Sequence, residues 1–276
     1  EMPTARLIAD HCVSRSVRDS AHWLAATEKS GEAAPLPPID TLRLGAGHRL
    51  RIGAYRRDCF GQMPSAEALV ALDQTIGALR ALGHEVVEVE GPQFDGRATS
   101  KAFFGLSGAV VGGLLQTMQA TMGAAFDIEM VEPYARDLVD RARTLAPEDY
   151  ASFAAALDQA AQSAQTAMVD VDILLSPTVG FSAFPLGEYG PGCAPSRLDG
   201  LTERLASYTV VASLAGWPAM SVPLFLTESG LPIGSHFTAR EGADALLFSL
   251  AFQLEDAYPW IGRLNDLAET QTWPSA

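Results

Sequence analysis

Leu50-Arg51-Ile52-Gly53-Ala54-Tyr55, followed by a helical stretch between Ser65 and Gly83 and then by Val86-Val87-Glu88-Val89, is the part of the sequence that decides the fold. The first run is short, mostly apolar and free of proline, which is the pattern of a strand. Ser65 is a helix cap, and Leu69, Leu72, Ile76, Leu79 and Leu82 recur behind it at helical spacing, giving one apolar stripe. Gly83 suits the left-handed residue that ends such a helix. The valines then begin a second strand. A crossover of this length joins parallel strands, so the stretch predicts a β-α-β unit and an α/β architecture.

Downstream, 171–175 reads as a strand that is apolar throughout except for Asp172, as expected for a strand buried on both faces. Segments 131–143 and 148–168 read as helices, the second with Pro147 at its start. Residues 176–200 are rich in Gly and Pro and predict a long loop leaving the carboxyl end of a strand, where open α/β sheets place their ligand crevices. Residues 201–214 return to helix. Strands at 220–226 and 232–239 flank the turn Thr227-Glu228-Ser229-Gly230 as a hairpin, and a helix over 243–257 carries Leu246, Leu247, Leu250 and Leu254. Upstream, Ser16 and Asp19 form a capping-box pattern ahead of a helix from Val17 to about Glu28. Pro35, Pro37 and Pro38 then make 30–38 an extended connector. One domain with a doubly covered sheet is expected over 1–276.

Segment 102–126 carries no charge and contains Gly108-Ala109-Val110-Val111-Gly112, a small-xxx-small spacing. Ser107, Gln116, Thr117, Gln119 and Thr121 dilute its hydrophobicity, so a buried, close-packed helix or pocket wall is expected in place of a membrane span.

The formal net charge of −14, with Lys29 and Lys101 as the only lysines, argues against nucleic acid and anionic membrane surfaces as partners. Cys12, Cys59 and Cys193 are odd in number and far apart, which fits neither a disulfide framework nor a zinc site. With no charged-then-apolar leader at the start, a cytoplasmic setting is expected. His11, His22, His48, His84 and His236 are scattered without ligand spacing, so no metal is expected. His84 is placed to meet the last carbonyls of a helix, and His236 reads as a satisfied sheet residue. Gly45-Ala46-Gly47 lacks the third glycine and the preceding strand of a dinucleotide loop, so no cofactor is expected. Ser107 and Ser229 beside glycines read as packing and turn residues, since no Gly-x-Ser-x-Gly elbow is present. The carboxylates Glu88 with Glu90 and Asp170 with Asp172 read as solvated strand edges.

Five ordered pieces carry a resemblance. Ser14-Arg15-Ser16-Val17-Arg18-Asp19, Ala81-Leu82-Gly83-His84-Glu85-Val86, Asp172-Ile173-Leu174-Leu175-Ser176-Pro177-Thr178, Gly216-Trp217-Pro218-Ala219-Met220-Ser221-Val222-Pro223 and Gly230-Leu231-Pro232-Ile233-Gly234 resemble, in this order, the carboxy-terminal half of an amidase-signature hydrolase. The ending Gln253-Leu254-Glu255-Asp256-Ala257-Tyr258-Pro259-Trp260 is similar to the branch that includes 6-aminohexanoate cyclic-dimer hydrolases.

The resemblance implies an α/β/α sandwich with a mixed, largely buried central sheet. It also implies cleavage of a small-molecule amide by a lysine, a cis-peptide serine and a nucleophilic serine. All three would precede Glu1, and Lys29 and Lys101 lack the surrounding motif. The chain is therefore expected to be the carboxy-terminal part of one amidase domain and inactive in isolation. The different-class alternative is a non-catalytic subunit on the same fold. By resemblance, Phe103, Phe104, Ser107 and Val111 on one helix, and Thr178 and Val179 on one loop, face the substrate, although the phenylalanines serve equally as core. Ser213-Leu214-Ala215-Gly216 departs from the family's Asn-x-Ser/Thr-Gly, which makes the local pocket more apolar. A sheet lacking its amino-terminal strands would expose an edge and pair, for instance as a homodimer.

Overall fold

The computed structural model describes residues 11–29, 31, 34, 36, 39, 48–190, 192–263 and 265. The Gly45 loop and most of the 30–38 connector lie outside the described residues. Eight α-helices and five strands follow one another among the described residues. They are α1 (Val17–Thr27), β1 (Arg51–Ala54), α2 (Ala66–Ala81), β2 (Glu85–Glu88), α3 (Gly96–Met122), α4 (Pro133–Ala142), α5 (Pro147–Ala167) and β3 (Ile173–Pro177). After these come α6 (Pro195–Ala206), α7 (Val210–Ala215), β4 (Ala219–Leu226), β5 (Pro232–Ala239) and α8 (Asp244–Ala257).

The sheet order is β2-β1-β3-β5-β4. β1 runs parallel to both β2 and β3, whereas β5 is antiparallel to β3 and β4. The result is the expected mixed sheet between helical layers. On one face Leu72, Ile76 and Leu79 of α2, Leu247 and Leu250 of α8, and Val17 and Ala21 of α1 pack on Ile52, Leu175 and Phe237. Each large aliphatic side chain buried this way contributes roughly 1.5–3 kcal/mol. On the other face Ala164 and Met168, at the end of α5, join Val211 of α7, Tyr208 and Trp217 against Tyr55 and Leu174.

The β-α-β reading holds in detail. Ser65 Oγ accepts the backbone N–H of Ala68 at 3.3 Å, and β1 and β2 pair in register from Arg51 opposite Glu85 to Ala54 opposite Glu88. β3 starts two residues later than the sequence suggests. All five of its residues are buried, and Asp172 stays outside, where its carboxylate accepts the Arg51 N–H at 2.8 Å. The charge sits where the strand has not yet been covered.

Four local expectations need correction. The Gly/Pro-rich loop is shorter than expected, because α6 begins at Pro195. The helix expected over 201–214 is two helices, broken at Ser207, Tyr208 and Thr209. The break has a tertiary cause: the Tyr208 hydroxyl donates to the Arg56 carbonyl at 2.7 Å, and the Ser207 carbonyl accepts the Cys59 N–H at 3.1 Å. At α1, Ser16 Oγ accepts the Asp19 N–H at 3.2 Å, but the Asp19 carboxylate turns to Arg18, so only half of the capping box forms. His84 does not donate to helix carbonyls through its ring. Its Nδ1 accepts the Leu50 N–H at 3.3 Å, and burial pushes its pKa down, as befits a neutral ring.

α3 is buried only over its first half. Thr99, Ala102, Leu106 and Gly108 are buried, whereas Val110 is 41% and Leu114 58% exposed. The helix outruns α4 and α5, which cover its beginning. By length and composition alone, Gly96–Ala125 is long and apolar enough to cross a membrane. Its small residues nonetheless serve a contact within the chain: a Cβ on Gly108 would lie 2.2 Å from the Leu138 carbonyl oxygen of α4.

Candidate functional site

Two groupings of polar and apolar side chains lie where the sequence directed attention. The first is a cavity of about 230 Å³ formed by α3, α6, the start of α7 and the Cys59-Phe60 turn. Phe103 and Phe104 line it together with Phe60, Thr99, Ser100, Glu203 and Val210. The two neighbouring phenylalanines meet edge to face with centroids 5.4 Å apart, which fixes their rings as a stiff wall. α3 is aimed at this place by its cap, since Asp95 accepts the N–H groups of Arg97 and Ala98 at 3.0 Å each. Ser107 and Val111 stand further along α3, half-buried and outside this lining.

A polar joint supports the wall from behind. Asp199 of α6 accepts both guanidinium nitrogens of Arg141 at 2.8 and 3.1 Å and the Tyr134 hydroxyl at 2.7 Å. Arg141 also lies over the Phe104 ring, 5.7 Å from its centroid. Burial, followed by the Asp199 carboxylate, pushes the Tyr134 phenol up to about 12. The joint therefore holds α4, α6 and Phe104 together, with the Tyr134 phenol proton in place.

The second grouping sits at the carboxyl end of β3. Thr178 and Val179 are half-buried there, and Thr178 Oγ1 is 2.6 Å from Ser221 Oγ on β4. The Thr178 N–H donates to the Gly234 carbonyl at 3.0 Å. Gly234 is required by proximity: a Cβ there would fall 2.5 Å from Ser221 Oγ and 2.6 Å from Thr178 Oγ1. The structure thus groups Phe103 with Phe104, and Thr178 with Val179, as two separate surfaces. Ser221 belongs to the Gly216–Pro223 motif, whose resemblance assigns it no role. Ser100 and Glu203, whose side chains meet at 2.5 Å, had no signal in the sequence, being 103 positions apart.

Apart from the Ser100 hydroxyl that donates to the Glu203 carboxylate, neither grouping brings a nucleophile to a base. Cys59 is the cavity's thiol, and desolvation, followed by the neighbouring Asp58 charge, pushes it up to about 12, so it stays protonated and unreactive at neutral pH. Ser176 and His236 face each other across β3 and β5, with Oγ to Nδ1 at 3.5 Å. Both are at most 4% exposed, the serine donates to the Pro177 carbonyl at 3.0 Å, and burial pushes the imidazole down to about 4. This is a neutral sheet histidine, and both side chains are closed off from solvent. Among the described residues, no three His, Cys, Asp or Glu side chains cluster as a metal site.

With this geometry established, comparison with known proteins is specific. A family profile described as Amidase matches residues 10–248. AmiC of Mycobacterium bovis, named as an amidase, is 28% identical over 92% of this chain and 53% of its own length. The 6-aminohexanoate-cyclic-dimer hydrolase of a Pseudomonas species is 26% identical over 79% of this chain and 46% of its own. A solved structure of 6-aminohexanoate cyclic dimer hydrolase superposes with a TM-score of 0.78 at 25% identity, covering 90% of this chain and 55% of that one. The chain thus spans about half the length of the relatives it matches. Its mixed α/β sheet, its ordered motifs and these matches agree: the chain belongs to the amidase-signature family of amidohydrolases.

Proposed function

We propose that this chain is the carboxy-terminal portion of an enzyme that cleaves carboxamide bonds. In this reading it supplies a five-stranded share of the sheet and an apolar wall of the substrate pocket. The nucleophilic serine, its cis-serine relay and the lysine come from a segment ahead of residue 1. The observation that carries the proposal is that nine-tenths of this chain matches only about half of AmiC and of the cyclic-dimer hydrolase structure, while neither surface holds a lysine beside a serine.

The division of labour follows physically. An acyl transfer needs an activated hydroxyl and donors aimed at the oxyanion. The cavity offers an apolar, aromatic wall that orients an acyl or amine portion and excludes water. Phe103 and Phe104 form that wall, while Thr178 and Val179 offer the substrate a second, separate surface at the sheet end. The exposed outer positions of β4, Ala219 and Ser221, lie at the edge where further strands would continue the sheet.

The test compares hydrolysis of small amides by the chain alone with hydrolysis by the same chain joined to the coding sequence that precedes it. No turnover alone and turnover in the longer protein is the expected result. A longer protein that contains no serine-lysine signature and no activity would favour a non-catalytic subunit.

A further inference from the structure

The cavity between α3 and α6 has one charged side chain in its lining, Glu203. The rest of the wall is aromatic, aliphatic, hydroxyl-bearing or, at Cys59, a protonated thiol, with Phe60, Phe103, Phe104 and Val210 supplying apolar area. One oxygen of Glu203, Oε1, accepts the Ser100 hydroxyl at 2.5 Å, which fixes the carboxylate against α3. An ionised carboxylate offers about four acceptor positions, so most of its capacity is left for a ligand. The nearby cations are engaged elsewhere: Arg204 stacks on Phe181 at 4.1 Å, Lys101 pairs with Asp149 at 3.5 Å, and Arg141 is held by Asp199 and Asp137. Among the described residues no ion pair is made to Glu203.

A carboxylate fixed in an apolar cavity gains most from a cation that brings its own hydrocarbon body. A neutral end would bring the carboxylate no counter-charge, and an anionic end would be repelled both locally and by the net charge of −14. Aromatic faces beside the carboxylate attract the same cation. The size, about 230 Å³, is below the roughly 300 Å³ at which sites for drug-sized ligands begin. The cavity therefore fits one short arm of a molecule. We propose that it is a specificity pocket for a protonated amine carried on a short alkyl or aryl arm of the amide substrate, with Glu203 as the counter-charge and Ser100 as its positioning residue. This rests on the amide-hydrolase reading and names the substrate class for it.

The test is binding, on the chain as it stands, of a matched pair of probes, 2-phenylethylammonium and neutral 2-phenylethanol, followed by calorimetry or by protein NMR. The expected result is that the ammonium binds at least about tenfold tighter, the ratio shrinking at high salt. E203Q should erase the preference, and S100A, which keeps the carboxylate, should retain most of it. Equal affinities in the unaltered chain, a preference that survives in E203Q, or no binding of either probe would each overturn the proposal. The ratio on the unaltered chain decides even if a variant fails to fold. No hydrolysis is measured, so a negative result removes the amine pocket and leaves the amide-hydrolase reading standing. An inactive longer protein that retains the ammonium preference would remove only that reading.

Discussion

Replacing Gly108 by alanine tests the packing that places the cavity wall. The added Cβ would lie 2.2 Å from the Leu138 carbonyl oxygen and 2.9 Å from the Ala142 Cβ. A carbon-to-carbonyl contact sits near about 3.3 Å, so α3 and α4 must separate by about 1 Å or shear. Overpacking of this kind costs about 1–3 kcal/mol. Against it stands the gain of alanine over glycine in a helix interior, about 1 kcal/mol. The balance for G108A is a loss of up to about 2 kcal/mol, because the atom in the way is backbone and cannot rotate aside.

Gly113 supplies the control on the same helix: it is exposed, and nothing lies within 4 Å of an added Cβ. G113A keeps only the propensity gain and should stabilise by up to about 1 kcal/mol. Urea denaturation of the three proteins, followed by circular dichroism, gives the two differences. Shifts of opposite sign are expected. If G108A is as stable as or more stable than the parent, α3 and α4 do not meet as described, and the joint behind Phe104 loses its foundation.

Three further outcomes follow from named groups. The burial of His236 lowers its pKa from 6.5 to about 4, so below pH 6.5 the unfolded chain takes up a proton that the folded chain refuses. Stability should fall as pH drops from about 6.5 toward 4, by up to about 3 kcal/mol, and H236Q should flatten that part of a Tm-against-pH curve; an unchanged slope would refute the assignment. Cys59 should resist iodoacetamide at pH 7.5 in the folded chain and react after unfolding, read by mass spectrometry; rapid modification of the native thiol would show a thiolate that the structure excludes. Asp199→Ala leaves Arg141 and Tyr134 without their shared acceptor and should cost about 1–3 kcal/mol. It should also broaden the NMR signals of Phe104, and a spectrum identical to the parent's would detach the joint from the wall.

The residues that were legible in the sequence are those whose neighbours are local or periodic. The α2 stripe and Ser65 specify a helix whichever sheet it covers, and the apolar run before Ser176 demands a strand buried on both faces. What was illegible depends on partners far along the chain. Tyr208 ends α6 because a carbonyl at Arg56 receives its hydroxyl, and nothing near 208 announces that. Ser100 and Glu203 are ordinary polar helix residues until α3 and α6 are brought together. The lack of charge over 102–126 predicted burial, yet it fixes only what a helix can tolerate; how much is covered depends on the length of α4 and α5. Phe103 and Phe104 were suggested by resemblance and occupy one cavity, whereas Thr178 and Val179 belong to a different surface at the sheet end, a separation that motif order does not encode.

In the proposed reading this chain carries pocket and sheet, and the acylated serine lies in another segment. Intact-mass spectrometry after incubation of the chain with an activated acyl ester decides this. No stoichiometric acyl adduct on any serine is expected. One acyl group per chain on a single serine, formed rapidly and released by water, would contradict it.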